Sequence, residues 1–270
     1  MHDYHAHSVY SDGGHLERML DAATDAGLDG VGFADHCSVT RDPHWRAKRN
    51  QHARNFDLTY ERRRTSIESL RQERDIAIYD AVEVDYEPGA EPRIDAFLAD
   101  ANFDYALGSV HYVGEHTVFS FEDFSTPDTP DPETVVADYY DAVVALASSD
   151  LFEVAAHVDV VEAHPQLAGL RTDEQVRRVA DAFAASRTVP EVNAKRVARD
   201  GDLDLHPTDD LLAALVDRGV AFTVGTDAHR PEEFDERVAA LERVCERHGI
   251  DPVSPLSVAG RSEAWPATAE

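Results

Sequence analysis

His5 and His7 stand one residue apart in the first apolar stretch of the chain, MHDYHAHSVYSDGG. In an extended strand, residues i and i+2 share a face, so the two imidazoles project together. Such a pair is either two polar groups in need of partners or the start of a metal site, and alone it does not decide. The other His, Asp and Glu residues shift the balance. Asp12 follows in the next loop, Asp35 and His36 lie in GFADH, Glu83 in EVDY, His111 in GSVHY, His157 in AAHVD, and Asp227 and His229 in GTDAH. Together, His5, His7, Asp12, His36, Glu83, His111, His157, Asp227 and His229 offer nitrogen and oxygen donors and no thiolate. That donor set suits Zn, Mn or Fe in hydrolytic sites. Nine donors are too many for one ion and suit two or three divalent ions sharing a carboxylate. Metals grouped in this way activate water as hydroxide near neutral pH and neutralise an anionic leaving group or phosphoryl oxygens. Glu83, His111 and Asp227 are the candidates for supporting that hydroxide.

These residues need a scaffold that brings distant segments to one place. Apolar runs of strand length occur at 2–7, 29–35, 76–86, 103–112, 151–159, 188–194 and 219–229. Helical patterns fall between them, near 15–26, 57–74, 91–101, 131–148, 173–186, 207–218 and 231–248. Start signals such as TPDPETVVADYY and RTDEQVRRVADAF open several of them, and Gly219 is placed to end the sixth. Strands alternating with helices predict an α/β fold with a parallel sheet. No glycine-rich phosphate fingerprint follows the first strand, which favours closure into a barrel over an open doubly wound sheet. The candidate ligands cluster at the C-terminal ends of the strands, where barrels place their active sites. The longest irregular stretches, 37–56 and 112–130, also follow strands. The main unit is expected over 1–250, with a C-terminal extension at 251–270. His15, after SDGG, is either the cap of the first helix or a substitute for Asp12.

The formal net charge is −28, and only Lys48 and Lys195 among the 25 basic residues are lysines. Acidic residues are spread along the chain, a pattern that favours adaptation to high salt over a surface made for one cationic partner. The bulk field opposes nucleic acid at low salt, and no basic track with aromatics exists beyond the short WRAKRNQHARNF. No apolar run of membrane-spanning length and no secretory signal is visible, so a cytoplasmic protein without a membrane partner is expected. Cys37 and Cys245 suggest neither a disulfide framework nor a cysteine-rich metal knuckle. The oligomeric state is not legible.

The segments YHAHSVYSDG, GFADH, EVDY, GSVHYVG, AAHVD and GTDAH together resemble the PHP (polymerase and histidinol phosphatase) family, over about residues 1–245. The resemblance implies a distorted (β/α)7 barrel with two or three divalent metals, Mn, Zn or Fe. It implies that His5, His7, Glu83 and Asp227 hold one metal, Glu83, His111 and His157 a second, and Asp12, His36 and His229 a third. AVEVDYEPG, FDYALGSVHYVG and the helical YERRRTSIESLRQERDI look most like the monofunctional histidinol-phosphatases. Membership there implies hydrolysis of the small phosphomonoester L-histidinol phosphate to L-histidinol and phosphate in histidine biosynthesis. Asp35 is then expected to orient a ligand imidazole. Arg196, Arg199 and Arg230 are candidate phosphate clamps, and Asp85 or Glu87 could face the cationic end of the substrate. One departure is EVNAKRVARDG, where that subgroup commonly reads EINTSGLR.

Three rivals remain. A PHP phosphoesterase acting on a nucleotide, a DNA end or another small phosphomonoester would keep the same metal site. An amidohydrolase would need a bridging lysine at the end of the fourth strand, where neither lysine lies. A metal-free binding module would need ligand positions lost, and none is.

Overall fold

The computed structural model describes residues 1–40, 43–119, 122–196 and 205–258. Nine strands are found there: β1 (His2–Ala6), β2 (Gly30–Cys37), β3 (Ala77–Asp85), β4 (Tyr105–Ser109), β5 (Tyr112–Val113), β6 (His116–Thr117), β7 (Val154–Ala155), β8 (Val189–Asn193) and β9 (Thr223–Gly225). The helices are α1 (Leu16–Asp25), α2 (Pro43–Gln51), α3 (Tyr60–Arg71), α4 (Glu91–Ala101), α5 (Pro132–Ser148), α6 (Asp173–Ala184), α7 (Asp209–Val216), α8 (Phe234–His248) and α9 (Pro255–Val258).

Seven strands form one sheet in the order β1-β2-β3-β4-β7-β8-β9, every pair parallel. β9 returns to β1: Asp227 N donates to His5 O at 2.6 Å, and His7 N to Ala228 O at 2.8 Å. The result is a nearly closed barrel of seven parallel strands with helices around it, the expected class. β5 and β6 form a separate antiparallel hairpin. The hairpin and α2 lie in the two stretches read as irregular.

The strands alternate between two environments. Tyr79 and Ala81 of β3, Tyr105 and Leu107 of β4 and Ala34 of β2 form an inner cluster with Tyr4. Val31, Phe33 and Ile78 face outward, against Leu16, Met19 and Leu20 of α1. β1 does not keep this alternation. Its register to β2 shifts between Asp3 and Ala6, a bulge that changes which residues face in. Tyr4 packs inside and Ala6 outside, so His5 and His7 point into the barrel. The Asp3 carboxylate fixes this bend, accepting from His5 N at 3.0 Å and, across the closure, from Thr226 N at 2.9 Å and Thr226 Oγ1 at 2.5 Å. Burial raises the Asp3 carboxyl to about 6, with the Thr226 and His5 hydrogen bonds opposing.

The start of the expected C-terminal extension packs on the barrel. Val253 N donates to Phe222 O at 2.8 Å, and Leu256 of α9 joins the inner cluster. No helix among the described residues is long and apolar enough to cross a membrane.

Candidate metal centre

Glu83 lies near the end of β3, beside His36 of β2 in the ladder. Its two oxygens divide the neighbours. Oε2 lies 2.5 Å from His36 Nδ1, 3.7 Å from His5 Nε2 and 3.8 Å from His7 Nε2. Oε1 lies 2.9 Å from His157 Nε2 and 3.4 Å from His111 Nε2. One buried carboxylate thus reaches imidazoles from β1, β2, the end of β4 and the turn after β7, the arrangement expected of a bridging ligand.

The remaining donors flank it. Asp227 Oδ1 is 3.2 Å from His7 Nε2 and 3.4 Å from His229 Nδ1. Asp12 Oδ1 is 3.4 Å from His229 Nε2, 3.8 Å from His36 Nε2 and 3.9 Å from His7 Nδ1. His157 and Asp227 both have positive φ, 28° and 52°. Non-glycine residues hold this conformation at a cost of order 1–3 kcal/mol, typically at functional sites. Here it lets chain that has left the short strands β7 and β9 bring two more donors over the barrel mouth.

Among the described residues, three overlapping groups place possible ligand atoms within 4.8 Å of one another: His7, Asp12, His36 and His229; His5, His7 and Glu83; and His36, Glu83 and His111. These groups hold seven of the nine sequence-selected donors, and the His157–Glu83 and Asp227–His7 contacts bring the other two to the same end of the barrel, though the groups differ in part from those expected. His7 joins the Asp12 group, and His36 stands with Glu83 and His111. His15 is exposed at the N-cap of α1 and lines a different groove, with Tyr10 and Glu73.

The donor atoms fit a divalent metal. His111 Nε2 and His157 Nδ1 are buried with no hydrogen-bond partner, and Glu83 Oε2 meets His36 Nδ1 at 2.5 Å outside hydrogen-bond geometry, an arrangement a protein interior rarely tolerates. Several imidazoles are held by the opposite ring nitrogen, which turns a lone pair toward the centre. His5 Nδ1 meets Glu191 Oε1 at 2.8 Å, His111 Nδ1 meets Asp85 Oδ1 at 2.6 Å, and His229 Nδ1 meets the Asp227 carbonyl at 2.8 Å.

Charge states agree with this. Burial pushes Glu83 up, but His36, His111 and His5 together hold it well below the usual carboxylate range. Burial likewise opposes Asp227, while Lys195 and then His5 hold it well below. Burial, with His229 and His36 beside it, lowers His7 to about 3. Burial and then Arg54 hold His111 well below its ordinary value. His5 goes the other way: burial lowers it, but Glu191, Asp227 and Glu83 raise it well above. Ionised Glu83 and Asp227 and neutral His7 and His111 are the forms that bind metal, while His5 would give up its proton to one.

Asp35 alternates with His36 and faces the helix layer, so it reaches an imidazole only through Ser11. It accepts from Ser8 N at 2.8 Å, Ser8 Oγ at 2.6 Å, Ser11 Oγ at 2.6 Å and Arg63 Nη1 at 2.6 Å, so it fixes the loop that carries Asp12, and the Ser11 hydroxyl lies 3.5 Å from His7 Nδ1. Of the candidate phosphate clamps, Arg196 Nη1 donates to the Glu162 carbonyl at 3.3 Å, Arg230 is exposed, and Arg199 lies outside the described residues.

The structure adds Glu191 and Arg54. Glu191 is fully buried, and besides His5 it accepts from His157 N at 3.1 Å and Asn193 Nδ2 at 3.0 Å. It shares the inward face of β8 with Asn193, so the i, i+2 rule applied to PEVN finds it. A Cβ on Gly225 would stand 1.9 Å from Glu191 Oε1 and 2.5 Å from His5 Cβ, so only glycine admits this pair. Arg54 Nη1 pairs with Asp85 Oδ1 at 2.6 Å. No periodic signal marks it, because it follows α2 in a stretch read as loop.

Comparison with known proteins accords with this geometry. The PHP domain model matches residues 3–195. The probable histidinol-phosphatase of Deinococcus radiodurans is 30% identical over 230 residues, 81% of each chain. The histidinol phosphate phosphatase of Lactococcus lactis, solved with zinc, L-histidinol and phosphate, has a TM-score of 0.71 at 20% identity, covering 94% of this chain and 97% of that one. The putative histidinol phosphatase of Listeria monocytogenes gives 0.71 at 18% identity, over 86% and 97%. The family-model match and the Deinococcus relative decide the family, and the two structures share the fold: the chain belongs to the PHP domain family and is histidinol-phosphatase-like.

Proposed function

We propose that this protein is a metal-dependent phosphomonoesterase whose substrate is L-histidinol phosphate. The observation that carries the reading is the convergence of five imidazoles on Glu83, with His111 Nε2 buried there and without a hydrogen-bond partner. Divalent metals bound there supply an acidified water and positive charge for the phosphoryl oxygens.

The chain's own residues do the rest. Glu83, with His5, His7, His36, His111, His157, Asp227, Asp12 and His229, would hold two or three ions. Glu191, at His5 Nδ1, and Asp85 with Arg54, both at His111 Nδ1, hold those two rings with Nε2 turned toward the centre. Asp12, the most exposed of the donors, sits at the mouth.

The alcohol half of the substrate has a candidate seat next to this centre. A cavity of about 270 Å³ is lined by Asp85, Glu87, Trp45, Tyr112 and Thr40. Glu87 suits an ammonium, and the aromatic walls suit a flat ring. Both features support histidinol phosphate over a bisphosphate or a DNA end, whose additional phosphate Glu87 would repel.

The test is phosphate release with Mn²⁺ from L-histidinol phosphate, a nucleoside monophosphate, a 3′,5′-bisphosphate and an aryl phosphate. L-Histidinol phosphate is expected to be preferred, and His5→Ala/His7→Ala to abolish turnover. Glu87→Gln is expected to raise KM for the cationic substrate by about tenfold and to spare the aryl phosphate. Efficient metal-dependent hydrolysis of the others, with histidinol phosphate disfavoured, would keep the metal centre and discard the substrate.

A further inference from the structure

The turn after β8 carries a cation that the metal centre as described does not use. Lys195 Nζ lies 3.1 Å from Asp227 Oδ1, and its side chain is about one-third exposed. The same turn holds the carboxylate from the other side. Lys195 N donates to Asn193 Oδ1 at 2.9 Å, and Asn193 Nδ2 donates to Asp227 Oδ2 at 3.3 Å.

Asp227 Oδ1 is also the oxygen that faces His7 and His229, at 3.2 and 3.4 Å. An ammonium and a divalent cation cannot share one carboxylate oxygen at close range without strong like-charge repulsion. The lysine is the mobile member, with a flexible four-carbon stem and a route to solvent.

Two other cations near the centre, Arg54 and Arg237, are committed to the scaffold. Arg54 is buried against Asp85, and Arg237 Nη1 donates to the Asp227 and Thr226 carbonyls at 2.7 and 3.2 Å. Lys195 alone among these three has, as its partner, an oxygen that a metal would claim. In a chain of net charge −28, a phosphate entering this mouth needs such a cation.

We propose that Lys195 is an exchangeable phosphate-binding residue. In the metal-free protein it stands in for the cation at Asp227 and keeps that carboxylate in position. Metal entry frees the ammonium, which then pairs with a non-bridging oxygen of the substrate's phosphate and afterwards of the released orthophosphate. This assignment rests on the phosphomonoesterase reading.

Lys195→Met and Lys195→Arg test it, since both keep a long flexible stem at this partly exposed position. Mn²⁺ is titrated into the metal-free proteins without substrate, and orthophosphate is then titrated into the Mn²⁺-loaded proteins by calorimetry. Lys195→Met is expected to bind Mn²⁺ roughly tenfold more tightly, because its competitor is gone. It is expected to bind orthophosphate at least about tenfold more weakly, while Lys195→Arg keeps the phosphate affinity. Weaker Mn²⁺ binding in Lys195→Met would make the lysine a plain structural prop and overturn the exchange. Wild-type orthophosphate binding that Lys195→Met leaves intact would overturn the phosphate assignment alone. A loaded wild type that binds no orthophosphate and cleaves no phosphomonoester would instead remove the phosphomonoesterase reading, and the phosphate assignment with it.

Discussion

Replacing Arg63 with Met should destabilise the fold and loosen the candidate centre together. Arg63 is fully buried on α3. Its guanidinium pairs with Asp35 Oδ2 and Asp80 Oδ1, each at 2.6 Å, donates to the Ala81 carbonyl, and lies 4.0 Å from the Phe56 ring centroid. Removing one partner of a buried ion pair costs ~3–5 kcal/mol, because the other charge is left uncompensated. Asp80 keeps Arg64 at 2.7 Å, and Asp35 keeps its bonds from Ser8 and Ser11, so the lower end applies. About 3 kcal/mol corresponds to a fall in Tm of roughly 6–12 °C for a chain of this size.

Asp35 gives the loss a pH signature. In the native fold burial pushes its carboxyl up, but Arg63, then His7, Ser11 and Ser8, hold it below 3.8. Its stabilising contribution is therefore complete above 3.8 and lost as pH falls through the depressed value. Without Arg63 the burial cost dominates and the carboxyl rises. The Asp35 contribution in the variant is then most favourable in acid and is lost as pH rises through the raised value. The difference between wild type and variant should be widest near neutrality and narrow at about pH 4. Urea titrations with chelator present, at both pH values, measure it. Adding Asp35→Asn to Arg63→Met removes the orphaned charge and should recover part of the loss. A cost under about 1 kcal/mol, or a difference that grows in acid, would refute this account of the α3–β2 contact.

Three other outcomes follow from the same geometry. Glu191→Gln should weaken metal binding by about 10–100-fold, read by chelator competition, because it loosens the hold on the His5 ring. Gly225→Ala forces a Cβ to within 1.9 Å of Glu191 Oε1, so it should lower the urea midpoint of the metal-free protein and weaken metal binding; an unchanged protein would show that the His5–Glu191 pair can move aside. Raising KCl from about 0.1 to 2 M shortens the Debye length from ~10 Å to a few ångströms. The melting temperature should rise as the repulsion behind a net charge of −28 is screened, and a flat profile would count against salt adaptation.

The barrel was legible because its periodicities are strong where core packing dictates them. All seven parallel strands and their intervening helices arise near the expected positions, with β7 and β9 much shorter than the apolar runs that mark them. Those runs continue past the last paired residue because His157 and Asp227 leave the sheet through positive φ, which hydrophobicity does not encode. The donors were legible for a related reason. Side chains that must stay polar and buried interrupt apolar runs, so His36, Glu83 and His111 stand out against their neighbours.

Partners two residues away were harder to see, and Asp35 and Glu191 show why. Asp35 sits next to a donor in sequence, yet it faces away from the centre, because consecutive strand residues point to opposite sides. Glu191 looks like an ordinary acidic residue in an acidic chain, yet it faces inward on the same side as Asn193. Proximity along the chain misleads where parity in a regular strand does not. The bulge in β1 marks the limit of parity. Parity counted straight from His2 and Tyr4 would put His5 and His7 outside, against the helices. The opening His-x-His can serve a metal only because Asp3 takes hydrogen bonds from both His5 N and Thr226, holding the bulge that turns both rings inward where β9 closes on β1. Barrel closure and the candidate metal centre thus depend on the same buried carboxylate.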